Sequence, residues 1–428
     1  MNRSKVKRAL LGILISAGIG GIPLSAQTLS EKEAIEKALA HHPDIRAMSL
    51  RVGQSAEGCK SARADYLPQI SLQGEYDPQR TYVLPVNGTF HTRDDDGWSV
   101  GGALHQKLWD FEKTLSLINA AETERKIAEL GLADAKGQTV YRVRQLYALM
   151  VVQRMAVEVR RKDMEAKKAL YEQAEALVKQ GLKTEADASR FLSAYYVAKD
   201  NLGIAEASFD KARTTLSLFI GEPIAPDVRL QKDVISADAA DTLNDGNVEK
   251  RMLDNSPQLK MLDETVRRDI LMYHAAKEAH YGSIDAYATY VDQDTLNRYD
   301  ATVVGITATI PLYSGGRISA QAQQARIGAE MAKAQRDSKE LALRQELEGL
   351  LIDLRRFEKT LAARKAQYEA AQEARQLLEA RYREGLATYI EVLDATAQTL
   401  AAQLGLLEAR YNRSDALNRI DYLTGKQP

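Results

Sequence analysis

The chain repeats itself. Residues 43–76 match residues 257–290 at a constant offset of 214, and residues 98–221 match residues 302–425 at a constant offset of 204. Pro43 falls on Pro257, Tyr76 on Tyr290, Gly101 on Gly305, Gly181-Leu182 on Gly385-Leu386, and Gly221 on Gly425. A duplication across most of 428 residues calls for one supersecondary unit used twice, not for an active site assembled once. The change of offset lies between Tyr76 and Trp98, where the first copy is expected to carry a longer loop over residues 77–97.

Within each copy the hydrophobic period passes from helix to strand and back. Ser30-Glu31-Lys32-Glu33 fits a capping box, so a short helix starts there and ends near His41. Pro43 suits the first turn of the next helix, to about Tyr66, and Ser256-Pro257 opens its mate. Ile70, Leu72, Gly74 and Tyr76 then alternate with Gln69, Ser71, Gln73 and Glu75, and Trp98, Val100, Gly102 and Leu104 alternate with small residues. In the second copy Ile284, Ala286, Ala288 and Tyr290 share one face, as do Val304, Ile306, Ala308 and Ile310. Period two over about ten residues, apolar on one side and small or polar on the other, is the signature of an outer-membrane strand. The expected strands are about 69–77, 97–107, 283–291 and 302–311. Tyr76, Trp98 and Tyr290 stand at strand ends, where interfacial aromatics are expected. One such strand could equally belong to a half-buried hairpin of a soluble domain. Four in duplicated positions, all flanked by long helices, favour membrane strands.

From Phe111 to about Gln180, and from about Ile318 to Glu384, there is no proline and little glycine. Fully helical, each run would span roughly 105 Å. Leu343, Leu347, Leu350, Leu354, Phe357 and Leu361 follow 4-3 spacing, as do Val143, Leu146, Met150 and Val157, which reads as a coiled-coil seam. Each run ends at a Gly-Leu turn, and a second helix returns to Phe219 or Leu423. The expected organisation is a leader over 1–26, a first repeat over 27–221 with a helical hairpin at 111–220, a linker over 222–247, and a second repeat over 248–428 with a hairpin at 315–424.

Composition narrows the function class. Arg3, Lys5, Lys7 and Arg8 precede an apolar run from Ala9 to Leu24, and Leu24-Ser25-Ala26 resembles a cleavage site, so the chain reads as exported. Without the leader the net charge is about −5, which gives no support to nucleic-acid binding. No later stretch is apolar for long enough to form a membrane helix. The single cysteine, Cys59, excludes an internal disulfide framework and reads as a small buried helix residue. His41-His42 has no companion cluster at ligand spacing, and no nucleotide, zinc-protease or nucleophile motif occurs, so neither a metal, a cofactor nor an enzyme activity is expected. The competing class is a periplasmic coiled-coil adaptor or structural protein without a pore, which would not need four alternating strands.

With particular residues in order, this arrangement resembles the TolC-type outer-membrane efflux channel family. The resemblance rests on Leu29 to Ile35 before His42-Pro43-Asp44-Ile45, on Asp65-Tyr66-Leu67-Pro68-Gln69-Ile70, and on Pro311-Leu312-Tyr313-Ser314-Gly315-Gly316-Arg317. It continues through Tyr382-Arg383-Glu384-Gly385-Leu386 and Ile390 to Ala395. It implies a mainly α fold with a membrane β-barrel, and long helical hairpins forming a periplasmic tunnel. Four strands per chain cannot close in lipid, whereas a homotrimer supplies twelve. The implied function is a passive exit duct in the outer membrane of a Gram-negative bacterium, with a large periplasmic portion. Its implied partners are outer-membrane lipid, a periplasmic adaptor, and an inner-membrane efflux transporter or ABC exporter. The turns Gly181-Leu182 and Gly385-Leu386 would contact the adaptor, and Pro311, Tyr313, Gly315 and Gly316 would make the strand-to-helix turn. Asp187, Glu391 and Asp394 would ring a periplasmic gate that Tyr382 helps hold closed; the alternative for these acids is a solvated helix start, where the helix dipole favours them. The chain departs from the family at Ala387, where a basic residue is expected, with Lys183 or Arg383 as substitutes, and at Gly282, where the repeat would place Pro68.

Overall fold

The structure is a computed structural model that describes residues 28–235, 245–294 and 297–426. The expected leader and the middle of the expected linker, residues 236–244, lie outside the described residues. A short strand β1 (Thr28–Leu29) leads into α1 (Glu31–His41) and α2 (Pro43–Ala64). The strands β2 (Gln69–Val86) and β3 (Thr89–Trp109) follow, then α3 (Lys113–Lys179) and α4 (Glu185–Ile220). A second short strand β4 (Arg229–Leu230) and a 3-10 turn (Lys232–Ile235) precede α5 (Asp245–Asn255). The unit then recurs as α6 (Pro257–Glu278), β5 (Ser283–Asp294), β6 (Arg298–Thr309), α7 (Arg317–Arg383) and α8 (Tyr389–Leu423). Both α3 and α7 are 67 residues long, roughly 100 Å of helix.

The four long strands form one antiparallel sheet in the order β2-β3-β5-β6. The expected loop 77–97 is instead strand. β2 and β3 stay paired past a bulge between Asp77 and Arg80 as far as Val86 opposite Thr89. Asn87 and Gly88 close the ribbon with φ of +51° and +81°. An Asn-Gly pair with both φ positive is the two-residue turn whose twist matches flanking strands. β5 reaches only as far as Asp294, opposite Trp98, so the outer part of the first hairpin projects beyond the second.

The helices start two residues later than the expected 111 and 315. Phe111 and Glu112 are left-handed, with φ of +55° and +69°, as are Gly315 and Gly316, with φ of +62° and +82°. The two copies therefore make the same strand-to-helix turn with different residues. In the first copy, buried Asp110 accepts the Thr114 backbone N–H at 3.0 Å and the Tyr66 hydroxyl at 3.1 Å. Phe111 lies between Trp109 and Tyr281, with ring centroids 5.1 and 5.5 Å away. Gly282 answers the missing proline of the third strand. Its φ is +83°, and a Cβ there would stand 1.9 Å from the Thr309 carbonyl oxygen, so only glycine fits.

The core lies along the long helices. Val143, Leu146, Met150 and Val157 are buried against Phe209, Leu216 and Ile220 of α4. On α7 the seam drifts from the expected register: Leu343, Leu347, Leu351 and Leu354 are buried, and Leu350 is only partly so. A straight helix of 3.6 residues per turn walks off a strict 3.5 repeat, which explains the drift. Within the expected linker, β4 pairs in parallel with β1, Leu29 opposite Leu230. The fully buried Tyr147 joins the two, its hydroxyl donating to the Leu29 carbonyl at 2.7 Å and accepting the Gln231 N–H at 3.0 Å.

Candidate functional site

Two regions stand out, the strand wall and the helical tips. In the wall, the register sets Ile70 opposite Leu104, Leu104 opposite Ala288, and Ala288 opposite Val304. One row away, Leu72, Gly102, Tyr290 and Thr302 are in line. The alternating apolar sets of all four strands thus share one face. That face is open: Leu72 is 82 % exposed and Val304 76 %. Its opposite carries Ser71, Gln73, Ala103, Thr289 and Thr307. Tyr76 and Trp98 are directly paired at its outer end, whereas Tyr290 lies opposite Gly102, four residues lower along β3. The three aromatics therefore do not make a single row.

Both outer strands, β2 and β6, have one unpaired edge within the chain. Among the described residues no helix is long and apolar enough to cross a membrane. No group of three or more His, Cys, Asp or Glu able to hold a metal occurs among them either. Pro311 and Tyr313 follow β6 directly, and the Tyr313 side chain is fully open, as is Leu312 before it.

At the other end, the Gly-Leu turns are helix C-caps. Gly181 and Gly385 have φ of +73° and +76°. Leu182 N–H donates to the Leu177 carbonyl at 2.9 Å, and Leu386 N–H to the Arg381 carbonyl at 2.8 Å. This is a Schellman closure, in which glycine supplies the left-handed residue. The leucine after it usually packs back on the helix; here Leu182 and Leu386 are exposed.

Just beyond each turn the chain re-enters helix through a reciprocal cap. The Asp187 carboxylate accepts the Thr184 N–H at 3.3 Å while Thr184 Oγ1 accepts the Asp187 N–H at 3.3 Å. Thr388 and Glu391 repeat it, with 2.6 Å from Thr388 N–H to the carboxylate. The two bonds from Thr388 hold the Glu391 carboxyl below the usual carboxylate range. Two of the expected gate carboxylates thus first serve to start helices. The motif was legible as Thr-x-x-Asp/Glu, and the expectation passed over Thr184 and Thr388.

Tyr382 is buried with Phe191, Val392 and Ala174, and its hydroxyl has no hydrogen-bond partner. Burial and the neighbouring Asp187 push its pKa up. The Lys183 ammonium lies 5.2 Å from the centre of the Tyr382 ring. Lys183, Asp187, Tyr382 and Glu391 line one groove of about 460 Å³ between the two turns, together with Ala387. Asp394 is not among its lining residues; it is exposed and accepts from Gln398 at 2.8 Å. Phe191, which contacts both Tyr382 and Tyr389, carried no sequence signal because its mate by repetition is Ala395.

The chain matches the family model described as outer membrane efflux protein over residues 34–222 and 249–426. It is 24 % identical to outer membrane protein TolC of Escherichia coli, covering 95 % of this chain and 84 % of that protein. It is also 24 % identical to the proteases secretion protein PrtF of Dickeya chrysanthemi, covering 98 % and 92 %. Among solved structures, the channel protein CusC superposes with a TM-score of 0.80 at 18 % identity, covering 93 % of this chain and 92 % of that one. The duplicated strand pair, the open apolar face and the two long hairpins are features of one family, and the chain belongs to the outer membrane efflux proteins, channels of the TolC type.

Proposed function

We infer that three copies of this chain close into a twelve-stranded barrel in the outer membrane of a Gram-negative bacterium, with the long hairpins continuing as a tunnel in the periplasm. The single observation that carries this reading is a four-stranded sheet with one mainly apolar open face and two unpaired edges. Lipid tolerates no unpaired strand edge, so β2 of one copy must find β6 of the next. Twelve strands tilted at about 40° then enclose a lumen lined by the small and polar face.

The exposed Leu182 and Leu386 at the tips suit contact with a periplasmic adaptor, through which an inner-membrane efflux transporter or ABC exporter delivers its cargo. Similarity to both an efflux family and a proteases secretion protein supports a passive duct whose cargo is chosen by the pump. The groove holding Tyr382, Asp187, Glu391 and Lys183 is the proposed gate, with Lys183 supplying the positive charge that Ala387 cannot. Asp394 would add a ring of carboxylates further along the tunnel wall.

The experiment is extraction and reconstitution of the full chain. The reading expects a protein that stays in the outer membrane through carbonate washing, runs as a trimer unheated, and conducts in planar bilayers. A monomer released by carbonate would instead support the pore-less adaptor class. Within a conducting trimer, Asp394→Ala should weaken cation preference and block by multivalent cations; unchanged values would remove Asp394 from the gate.

A further inference from the structure

The inner face of the strand wall carries almost no charge through its middle. The row of Ser71, Ala103, Thr289 and Val303 is neutral, and so is that of Gln73, Gly101, Val291 and Ala301. Charge appears at the base, where the strands meet their helices. There Lys107 stands directly opposite Asp285, and His105 opposite Tyr287. Lys107 is turned into the strand-to-helix corner. Its Nζ donates to Thr114 Oγ1 at 3.0 Å and lies 3.6 Å from the buried Asp110 carboxylate. Its charge is therefore balanced inside that corner. The Asp285 carboxylate instead accepts from Ser283 Oγ at 2.6 Å and lies 3.7 Å from His105 Nε2. The His105 side chain is 58 % exposed against 14 % for Asp285, so the imidazole stands on the open side of the carboxylate.

The geometry points to a charge-selective collar at the base of the wall, in which Asp285, with the His105 ring 3.7 Å away on its open side, favours cationic over anionic solutes. The collar rests on the conduit reading above. Three copies would set three such pairs around a lumen of roughly 12 Å backbone radius, from about 4.8 Å per strand across twelve tilted strands. Fixed charge on a pore wall acts across the lumen only when the screening length rivals that radius. It is about 10 Å at 0.1 M salt and ~30 Å at 0.01 M. The collar should therefore discriminate in dilute salt and fade in concentrated salt, as charged rings do in other pores.

The test is the reversal potential of purified trimers in planar bilayers under a potassium chloride gradient whose dilute side is about 0.01 M. Asp285→Asn should lower the potassium-to-chloride permeability ratio by about twofold or more. His105→Arg, which adds a fixed cation beside the carboxylate, should lower it as well. Both differences should vanish at about 1 M salt, where screening is ~3 Å. The two variants at wild-type ratios, in trimers that still conduct, overturn the collar. Should Asp285→Asn fail to assemble, His105→Arg at an exposed position decides alone. A wild-type protein that forms no conducting trimer overturns the conduit reading itself, and the collar with it.

Discussion

At the scale of single residues, Phe111 and Glu112 hold left-handed backbone where the second copy has two glycines. A left-handed residue with a Cβ costs about 1–2 kcal/mol. Phe111 offsets this by packing between Trp109 and Tyr281, whereas Glu112 is exposed. Glu112→Gly should therefore stabilise by about 1 kcal/mol, and Gly316→Ala destabilise by as much. The temperature at which the unheated trimer band disappears would rise in the first variant and fall in the second. Tyr147→Phe should cost about 1–3 kcal/mol, since it strands the Leu29 carbonyl and the Gln231 N–H. Its check is faster proteolysis near residues 229–235. Glu391 brings a pH dependence. Its folded pKa lies below the ordinary 4.5, so the cap contributes fully above that value and is lost as pH falls through the depressed one. Hydrogen exchange at the start of α8, corrected for intrinsic rates, should speed up relative to mid-helix amides only in that acid range, and Glu391→Gln should remove the effect.

At the scale of elements, the sheet has two chemically different faces at one height. Val304 and Thr289 neighbour the same register rows but on opposite faces, since Val304 pairs with Ala288 and Thr289 with Val303. Val304→Arg should cost roughly 2–4 kcal/mol at the bilayer midplane, while Thr289→Arg should be tolerated. Trimer yield in outer-membrane fractions measures both, and equal losses would remove the lipid-face assignment. The projecting ribbon behaves differently. Past Trp98, β3 has no partner in β5, so the ribbon's pairing is internal to β2 and β3. Deleting residues 79–96 and closing with Asn-Gly should leave assembly intact.

At the scale of the whole molecule, the chain exposes apolar side chains that its own fold never covers. Leu341 and Ile352 on α7 and Tyr196 and Ile204 on α4 are all more than half exposed. α7 continues from the edge strand β6, and α4 packs against α3. The α7 face therefore continues from an unpaired strand edge. Ile352→Asp should weaken assembly without unfolding the protomer: the trimer band should be lost while helical circular dichroism persists.

The duplication, the strand faces, the helical runs and the glycine turns were all legible in the sequence. Each is a local rule: period two for strands, proline-free runs for helices, left-handed glycine for turns. Local rules were silent where long-range pairing decides. The 77–97 segment reads as a charged loop until β2 and β3 zip together from their base. Tyr290 looks like the equal of Tyr76 until the register sets it four residues below Trp98. No local rule brings Lys183 over the Tyr382 ring. The sequence by itself determined which unit is repeated and which face of it is apolar, because both depend on neighbours along the chain. Only the tertiary structure decided register, the tip groove and the pairing of His105 with Asp285, because those depend on how distant strands and helices align.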